Sequence, residues 1–315
     1  MTLEPADLPK PAHVVAVILN TNRRADTLAC LESLARSQAP RPGILVLDNA
    51  STDGSVEAIR AKYPDVEIHP LAQNLGYAGN NNVGIRRALA MGADWVLLLN
   101  EDVVVGADAL RVMLEAAGSR ANAGFVGPMV YHYDEPEIIQ SAGGRLGPGW
   151  QAIHVGQNSV DRGEFASPRS VQWVSGCALL ARREMIESVG VLDERFFYYW
   201  EETEWCLRAR GLGWDVLFVP GARAWHKGVQ RDYQPSPNVT YYWARNWLMM
   251  LAKHRAPVLV WLVAIIVLGR SLLSWSIRPR WRSRRPHRDA LWQGVVDFLR
   301  GRSGIRPPSP GALNP

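Results

Sequence analysis

The run W-V-L-L-L-N-E-D, residues 95–102, gives the clearest indication of the fold. Apolar residues are followed abruptly by an amide and two acids, as in a buried parallel strand that ends at a ligand crevice. Carboxylates at such a strand end suit a hard divalent cation, which shares its remaining coordination sites with substrate phosphates. The alternative is that residues 100–102 cap a helix that begins near Gly106. This run alone leaves a metal site and a helix cap equally acceptable.

Similar apolar runs recur through the first 130 residues and predict alternating strands and helices. The predicted strands are residues 14–20, 44–49, 66–71, 95–100 and 125–131, and the predicted helices are residues 25–37, 55–63, 78–91 and 107–117. Strand–helix–strand units at this spacing indicate an α/β fold with a mostly parallel, Rossmann-like sheet flanked by helices.

The later part of the chain is less regular. Residues 131–171 are rich in Gly, Pro and polar residues, which predicts an insertion with short strands beside the site. Strand patterns return at 171–181 and 214–219, and helical patterns at 183–189 and 201–210. Twelve of the thirteen tryptophans lie at or beyond Trp150. Core packing is the default role for most of them, but this part also offers flat surfaces for sugar rings or a membrane interface.

The composition is that of a globular protein in a reducing compartment. The chain has 315 residues, of which 47% are apolar and 21% are charged, enough for one large domain or two smaller ones. Its three cysteines, Cys30, Cys177 and Cys206, are too widely spaced for a disulfide framework or a zinc site. The N-terminus is acidic and contains proline, unlike a signal peptide. We therefore expect the globular part to be cytoplasmic.

The C-terminal part combines an apolar segment with a basic one. Residues 257–269 carry no charge, and the apolar stretch reaches about 21 residues, a bilayer-spanning length, if Arg270 is tolerated. Six arginines follow between Arg278 and Arg288. This pattern predicts that residues 256–288 bind anionic lipid at the cytoplasmic face of the membrane, as a monotopic attachment rather than a span. A nucleic-acid-binding tail is the competing interpretation, and residues 306–315 are predicted to be disordered.

Polar residues follow four of the predicted strands and should meet at one edge of the sheet. They are N-T-N-R at 20–23, D-N-A-S-T-D-G-S at 48–55, N-L-G-Y-A-G-N-N-N-V-G at 74–84 and N-E-D at 100–102. Side chains such as Asn81, Asn82, Asn100 and Glu101 offer hydrogen bonds for a base and a ribose, and the acids suit a metal on a diphosphate. No P-loop motif is present, and no G-x-G-x-x-G follows the first strand. Each loop taken singly could equally be ordinary turn chemistry.

A second candidate site lies in F-F-Y-Y-W-E-E-T-E-W-C-L-R, residues 196–208. If a helix begins near Glu201, then Glu204 and Arg208 form an i,i+4 ion pair. Glu201 and Glu202 would lie in the first turn, where the helix dipole favours the ionised form. A carboxylate held there can deprotonate a hydroxyl nucleophile. The alternative is that both acids only stabilise the start of the helix.

Seven motifs, taken in order, resemble the family-two inverting glycosyltransferases, and among them the rhamnosyltransferase-like branch that builds bacterial cell-surface polysaccharides. They are V-I-L-N-T-N-R, L-D-N-A-S-T-D-G-S, N-L-G-Y-A-G-N-N-N-V-G, L-L-L-N-E-D-V, V-S-G-C-A-L-L-A-R-R, F-F-Y-Y-W-E-E-T-E-W-C-L-R and V-P-G-A-R-A-W-H. The similarity runs from about residue 14 to residue 226, and more loosely through Y-Y-W-A-R-N at 241–246.

The resemblance implies a GT-A fold, a dTDP-, UDP- or GDP-sugar donor, a saccharide or lipid-linked saccharide acceptor and a Mg²⁺ or Mn²⁺ ion. By this resemblance Glu202 is the general base, with Glu201 beside it, and the metal site contains Asp102 and His226. The nucleoside is contacted by Asp48, and the same pocket is lined by Thr21, Asn22 and Arg23. The acceptor side contains Trp173, Ser175 and Gly176. The implied domain spans residues 14–255, divided into a nucleotide-binding half, 14–130, and an acceptor-side half, 131–255. Residues 1–13 and 256–315 flank it.

Two departures from the family pattern bear on these roles. Asn100 stands where the family has the first aspartate of D-x-D, and Glu202 stands where it usually has aspartate. Either change predicts altered metal dependence or a weakened enzyme. Two other functions therefore stay open, namely a nucleotidyltransferase of similar fold and an inactive, membrane-bound sugar-nucleotide-binding or scaffold protein. We expect no nucleic-acid partner.

Overall fold

The structure, a computed structural model, describes residues 12–228 and 230–307. Most of the predicted N-terminal extension, and residues 308–315 of the tail predicted to be disordered, therefore lie outside the described residues. The described strands are β1 (Val14–Asn20), β2 (Gly43–Asp48), β3 (Glu67–Pro70), β4 (Trp95–Asn100), β5 (Val103–Val105), β6 (Ala123–His132), β7 (Ile139–Ser141), β8 (Gly144–Leu146), β9 (Ala152–His154), β10 (Arg169–Ser170), β11 (Ala178–Arg182) and β12 (Asp215–His226).

The helices alternate with these strands and then close the chain. They are α1 (Arg24–Ala35), α2 (Ser55–Lys62), α3 (Gly76–Ala90), α4 (Ala109–Gly118), α5 (Arg183–Val189), α6 (Glu201–Gly211), α7 (Pro237–Lys253), α8 (Val258–Ile277) and α9 (Arg285–Leu299), with 3₁₀ turns at Glu194–Phe196 and Pro279–Arg284.

The central sheet is mixed, and its parallel part carries the strand ends predicted to form a site. Its order is β10-β12-β6-β11-β4-β1-β2-β3, with β5 paired to β12 and β7 to β6. Strands β4, β1, β2 and β3 run parallel, whereas β11 lies antiparallel between β4 and β6. The parallel registers bring Asn20, Asp48 and Asn100 to one edge, since Asn20 pairs with Asp48 and Leu19 with Asn100.

Each face of the sheet is covered by helices, because alternate residues of the buried strands point to opposite sides. In β1, Val14, Ala16 and Ile18 pack into the core that holds the buried residues of α1 and α4. Val15 and Val17 pack into the core that holds those of α3, α5 and α6. This arrangement explains why the strands read as continuous apolar runs rather than as alternating patterns.

The differences from the predicted elements lie mainly near the site. Residues 100–102 do not cap a helix, because β5 follows them and α4 begins only at Ala109. The strand predicted at 171–181 is confined to β11, and the residues before it form a loop. The strand predicted to end at 219 continues through a bulge to His226. Helix α7 was not predicted at all, because Gly, Pro and polar residues before it gave no regular pattern.

The C-terminal helices form a separate aromatic-rich core with the loop that precedes α6. Phe196 and Trp200 pack there with Trp247 of α7, Leu268 of α8 and Leu291 of α9. Within residues 12–228 and 230–307, α8 is the one helix long and apolar enough to cross a membrane, with a mean hydropathy of 2.1. Only 17% of its apolar window is buried, so most of this surface has no protein contact.

Candidate active site

Asn20, the last residue of β1, ties together the loops at the carboxyl edge of the sheet. Its Nδ2 donates to Asp48 Oδ1 (2.8 Å), Ser51 Oγ (3.0 Å) and Ser55 Oγ (2.9 Å), and its Oδ1 accepts from Thr27 Oγ1 (2.7 Å). Asn20 is fully buried, so removal of its amide would leave several polar groups unpaired. The sequence did not predict that Asn20 holds these loops together. Its only indication was a polar residue at the end of an apolar strand.

A cavity of about 460 Å³, here named the edge cavity, lies against these strand ends. Of the predicted residues it is lined by Thr21, Arg23, Asn100, Glu101, Asp102 and His226. It is also lined by residues that were not predicted, among them Asn49, Asn74, Tyr77, Asn80, Tyr198, Tyr199 and Tyr233. The coincidence of polar strand ends expected from the sequence is therefore present in the structure.

Asn81 and Asn82, predicted to bind the nucleotide sugar, face the protein interior instead. Asn82 is fully buried, and its amide donates to Leu192 O and Glu194 Oε1 and accepts from the Leu192 N–H. Asn81 is also buried and donates to Tyr77 O. Neither residue lines the edge cavity, because α3 turns these side chains inward, and their contact with the nucleotide sugar stays a prediction. The neighbouring Asn80 lines the cavity in their place.

Asp48 and Asn22 support the walls of the edge cavity rather than line it. Asp48 is buried, and its two carboxylate oxygens accept from Asn20 Nδ2 (2.8 Å) and the Ser51 N–H (3.1 Å). Asn22 has a positive φ of 52° and accepts from the Thr52 N–H (2.7 Å). The contact of Asp48 with a nucleoside stays a prediction, and the structure adds that this carboxylate shapes the loop.

Asp102 and His226 form a pair with the donor chemistry of a metal site. Asp102 is buried, and its Oδ1 lies 3.2 Å from His226 Nε2. His226 Nδ1 lies 2.9 Å from Gln140 Oε1 and donates to that oxygen, which leaves Nε2 free to act as a ligand. Among the described residues no group of three His, Cys, Asp or Glu side chains could hold a metal. The pair therefore fits an ion that substrate oxygens also coordinate.

The surroundings of this pair keep it negatively charged and closely packed. Burial opposes ionisation of Asp102, but His226 and Arg23 outweigh it and lower the pKa of this carboxyl. Burial and the charge of Asp102 raise the pKa of the adjacent Glu101 to about 7. A Cβ at Gly228 would collide with Asp102 Oδ2, so only glycine fits beside the pair. Gly228 is a site residue that sequence reasoning missed.

A second cavity of about 300 Å³, here named the carboxylate cavity, adjoins the first. The predicted residues that line it are Trp173, Ser175, Gly176, Glu201 and Glu202. Unpredicted lining residues include Gln140, His154, Trp200 and Trp243. Trp173 is almost fully buried, and its ring lies 4.7 Å from that of His154 in an edge-to-face contact. Aromatic faces and a few polar groups make this a surface suited to a sugar ring.

The two glutamates at the start of α6 differ in their environment. Glu201 is buried, its Oε2 has no hydrogen-bond partner among the described residues, and burial with the charge of Glu202 raises its pKa well above the usual range. Burial also raises the pKa of Glu202, but the backbone N–H groups of Thr203 and Gly176 oppose this. The backbone hydrogen bonds thus favour the charged form of Glu202, which is the form that a base needs, whereas Glu201 Oε2 has no partner among the described residues.

The two cavities meet at a common wall. Tyr77, Asn100, Tyr198, Tyr199 and His226 line both of them. Tyr77 Oη donates to Gly176 O at 2.6 Å, which joins α3 to the loop before β11. A molecule that extends from the Asp102–His226 pair toward Glu202 would thus pass along these shared side chains. The ion pair of Glu204 with Arg208, expected from their spacing, is present at 3.2 Å behind this wall.

The comparison with protein families accounts for this arrangement. Residues 15–190 match the model of "Glycosyl transferase family 2", which is more than half of the chain. This chain belongs to glycosyl transferase family 2. The enzyme is therefore a glycosyltransferase, and the nucleotidyltransferase alternative is excluded. The matched segment ends before α6, so Glu201, Glu202 and the C-terminal helices lie beyond it.

Full-length relatives and a solved structure extend the similarity past that segment. The glycosyltransferase is 30% identical over 300 residues to the N-acetylglucosaminyl-diphospho-decaprenol L-rhamnosyltransferase of Mycobacterium tuberculosis, covering 86% of this chain and 95% of that protein. It is 26% identical to the dTDP-rhamnosyl transferase RfbF of Shigella flexneri, covering 79% and 83%. The mannosyltransferase PcManGT of Pyrobaculum calidifontis, solved with GDP-Man and Mn²⁺, matches with a TM-score of 0.56 at 15% identity, covering 94% and 90%. The fold is GT-A, and the enzyme is rhamnosyltransferase-like.

Proposed function

We propose that this glycosyltransferase transfers a hexose, with inversion, from a nucleotide sugar to a hydroxyl of a lipid-linked saccharide in cell-surface polysaccharide synthesis. One observation carries the proposal. The Asp102–His226 pair and the Glu201–Glu202 pair border two neighbouring cavities that share five lining residues. A donor diphosphate at the first pair and an acceptor hydroxyl at the second would meet at the shared wall.

Glu202 acts as the general base in this proposal. It takes the proton from the acceptor hydroxyl, whose oxygen attacks the anomeric carbon on the face opposite the diphosphate. The new C–O bond forms as the bond to the diphosphate oxygen breaks, and the proton remains on Glu202. Glu201 lies beside the base at the start of α6, where burial and the charge of Glu202 raise its pKa. Tyr77 and Gly176 close the wall behind Glu202, since a Cβ at Gly176 would lie 2.9 Å from Tyr77 Oη and 3.4 Å from Glu202.

Asp102 and His226 would hold a Mg²⁺ or Mn²⁺ ion on the other side. When bound, such an ion neutralises negative charge on the diphosphate leaving group. Arg23 lines the same cavity and supplies a second positive charge near the phosphates. Thr21 and Asn100 add neutral hydrogen-bonding groups. Asn100 replaces one carboxylate of the family pattern, so the ion would depend more on the substrate for its ligands.

The names of the relatives support rhamnose as the sugar and dTDP as its carrier, with UDP and GDP as alternatives. The mycobacterial relative is named for a diphospho-decaprenol acceptor, which supports a polyprenyl-diphosphate-linked saccharide here. The aromatic lining of the carboxylate cavity is consistent with an acceptor sugar stacked on the partly exposed Trp243, whereas Trp173 and Trp200 are almost fully buried behind it.

Replacement of Glu202 by Gln tests the role of the base. We expect E202Q to lower kcat by about 10²–10⁴-fold, the usual contribution of a general base, while donor affinity changes little. The measurement is transfer from dTDP-rhamnose, UDP- and GDP-sugars to a polyprenyl-diphosphate GlcNAc acceptor, with donor binding followed by thermal shift.

Two matched variants sharpen this test. Glu187→Gln changes an exposed carboxyl on α5 and should leave kcat unaltered. Glu202→Asp restores the residue usual in the family and should retain more activity than E202Q. Full activity of E202Q would refute the assignment of the base. Donor binding without any turnover by the wild-type protein would favour the inactive scaffold instead.

We further propose that α8 and the following arginines attach the enzyme to the cytoplasmic face of the membrane. One face of α8 packs on the C-terminal core through Val260, Ala264 and Leu268. The opposite side is exposed and mainly apolar, with Arg270 as its one charged residue, and its large apolar residues are Val258, Leu259, Leu262, Ile265, Ile266, Leu273 and Ile277. Because one face of α8 packs along its own domain, we propose an interfacial attachment rather than a transmembrane span. The positive charges of the arginines in 278–288 would attract anionic lipid headgroups.

Vesicle flotation tests this attachment. We expect the wild-type enzyme to float with phosphatidylglycerol-containing vesicles and less with pure phosphatidylcholine. The triple variant Leu259→Ser, Leu262→Ser, Ile266→Ser should lose flotation, because the apolar contact is removed without disturbing the packed face. Leu212→Ser, at an exposed position far from α8 in sequence, serves as the control. Unchanged flotation of the triple variant, or stronger binding to nucleic acid than to vesicles, would contradict the proposal.

A further inference from the structure

The segment between the 3₁₀ turn at Glu194–Phe196 and α6 has an unusual backbone. Phe197, Tyr199 and Trp200 have positive φ angles of 62°, 68° and 78°, although none is glycine. Phe197 combines its positive φ with a ψ of −57°, and the Tyr198 N–H donates to Phe196 O at 2.7 Å, which is a strained γ-turn. Such conformations persist only where surrounding groups enforce them.

The enforcing groups come from α7. Asn246 Nδ2 donates to the carbonyl oxygens of Phe196 (2.7 Å), Tyr198 (2.8 Å) and Tyr199 (2.9 Å). One amide thus holds carbonyl groups on both sides of the γ-turn. Asn246 is fully buried, so these contacts are shielded from water.

Arg245 fixes the orientation of that amide. Its Nε donates to Asn246 Oδ1 at 2.9 Å, and because a guanidinium has only donors, the amide NH₂ must face the loop. Its other nitrogens donate to Phe196 O (3.3 Å), Arg195 O (3.4 Å) and Gly304 O (2.7 Å). Arg245 is also fully buried, beside the ring of Tyr241.

The segment held in this way carries the groups on which the proposed reaction depends. Tyr198 and Tyr199 line both cavities. Trp200 is the N-cap residue of α6, and Glu201 and Glu202 follow it directly. A change in the φ angles of this segment would therefore move the proposed base relative to the edge cavity.

We infer that Arg245 and Asn246 are positioning residues, which act through the 196–200 segment to set where Glu202 stands relative to the donor sugar. This inference rests on the proposed role of Glu202 as the base. Neither residue lines either cavity, and both lie outside the segment matched by the family model. Their effect should therefore appear in the rate of transfer rather than in donor binding.

The experiment is a kinetic cycle between Asn246 and Glu202 in the full-length enzyme. We expect Asn246→Ala to lower kcat by about 10²-fold, as a small misplacement of a reacting group does, with donor affinity within about twofold. In the Glu202→Gln background the same change should have almost no further effect, because the base through which Asn246 acts is already absent. A purely structural role would instead lower kcat by the same factor in both backgrounds.

Two further variants keep the test decisive. Arg245→Lys retains the buried charge but loses the bond that orients the Asn246 amide, so it should reproduce the kcat loss if Asn246→Ala fails to fold. Asn238→Ala, at an exposed position on the same helix, should keep wild-type kcat. Wild-type kcat in folded Asn246→Ala and Arg245→Lys, or full additivity with E202Q, would overturn the inference. Full activity of E202Q alone would instead overturn the base assignment, so the two failures are distinguishable.

Discussion

The two cavities of the cleft are built in different ways. The edge cavity is lined by residues at or just after the ends of regular strands, such as Thr21 after β1 and Asn100 at the end of β4. The carboxylate cavity is closed by the 196–200 segment, whose left-handed residues are held by a side chain of α7 almost fifty residues further along the chain. The strand-end part of the edge cavity is therefore determined locally, whereas the 196–200 segment, which contributes Tyr198 and Tyr199 to both cavities, depends on tertiary packing.

This difference has a consequence for function. A wall made of the ends of β1, β2 and β4 is rigid because each of these strands is paired on both sides, which suits the fixed geometry of a diphosphate and its ion. The geometry of the strained 196–200 segment is determined by its contacts with α7. A change in α7 can therefore change the shape of this wall. We expect donor binding to be insensitive to changes in α7 and catalysis to be sensitive to them.

Among the changes that compare the two cavities, the largest loss of kcat is expected for a substitution in the edge cavity. Asp102→Ala should lower kcat by about 10²–10³-fold, because charge stabilisation of the leaving diphosphate is lost. It should also abolish the rise in melting temperature that Mn²⁺ produces in the presence of dTDP. Thermal shift with and without Mn²⁺ measures this independently of activity.

Asp108→Ala serves as the control for that prediction. Its side chain is about half exposed at the start of α4 and lies near the exposed Arg111, so its removal should leave the Mn²⁺ shift unaltered. A Mn²⁺ shift that survives in Asp102→Ala would show that the ion, if it binds, is held elsewhere.

The regular half of the site could be predicted from sequence because its signals are local. The end of β4 follows from an apolar run that stops at Asn100, and the register of parallel strands then brings the other strand ends beside it. The roles of Asn81 and Asn82 could not be predicted, because adjacent positions on a helix differ in direction by about 100° and the rotation of α3 is set by packing. Asn80 faces the cavity for the same reason.

The part of the site formed by the 196–200 segment and the start of α6 could be assigned a function only through the resemblance to a family. Phe197, Tyr199 and Trp200 give no sequence signal of left-handed backbone, which usually falls on Gly or Asn. Asn246 lies about 50 residues further along the chain, and no local pattern links an amide on α7 to carbonyls near α6. The positions of Glu201 and Glu202 at a helix start were predictable, but what holds that start was not.

An intermediate effect on kcat is expected at Gly76, where the start of α3 contacts the 196–200 segment. Gly76 has a positive φ of 73°, and a Cβ there would collide with the Phe197 carbonyl oxygen and ring. Gly76→Ala should therefore displace the γ-turn and lower the free energy of unfolding by about 1–3 kcal/mol, with a parallel loss of kcat. Gly163→Ala provides the matched control, because Gly163 also has a positive φ, 82°, but a Cβ there meets nothing within 4 Å. Equal losses in both variants would mean that backbone strain alone matters.

The smallest effect on activity, though not on stability, concerns the ionic contacts that join α6 to α7. Glu204 is fully buried and lies 2.9 Å from Lys253 Nζ, 3.2 Å from Arg208 Nε and 3.3 Å from His254 Nε2. Burial opposes its ionisation, but the hydrogen bonds from His254 and Arg208 and the charge of Lys253 outweigh this and lower the pKa of Glu204 to about 2. Since the folded-state pKa lies below the unfolded value of about 4.3, its contribution to stability is present above that value and is lost as the pH falls toward 2.

Glu204→Gln should therefore reduce the free energy of unfolding most at pH 7, by on the order of 2–3 kcal/mol. The difference from the wild type should shrink below about pH 4.3, because the Glu204 carboxyl of the unfolded wild-type chain then takes up a proton while that of the folded protein stays ionised. Urea unfolding at pH 7, 5 and 3 measures this difference directly, and other carboxyls cancel because both proteins contain them. Glu187→Gln, on the exposed face of α5, should show almost no difference at any of these values. A deficit in Glu204→Gln that stays constant down to pH 3 would mean that Glu204 joins the helices by packing rather than by charge.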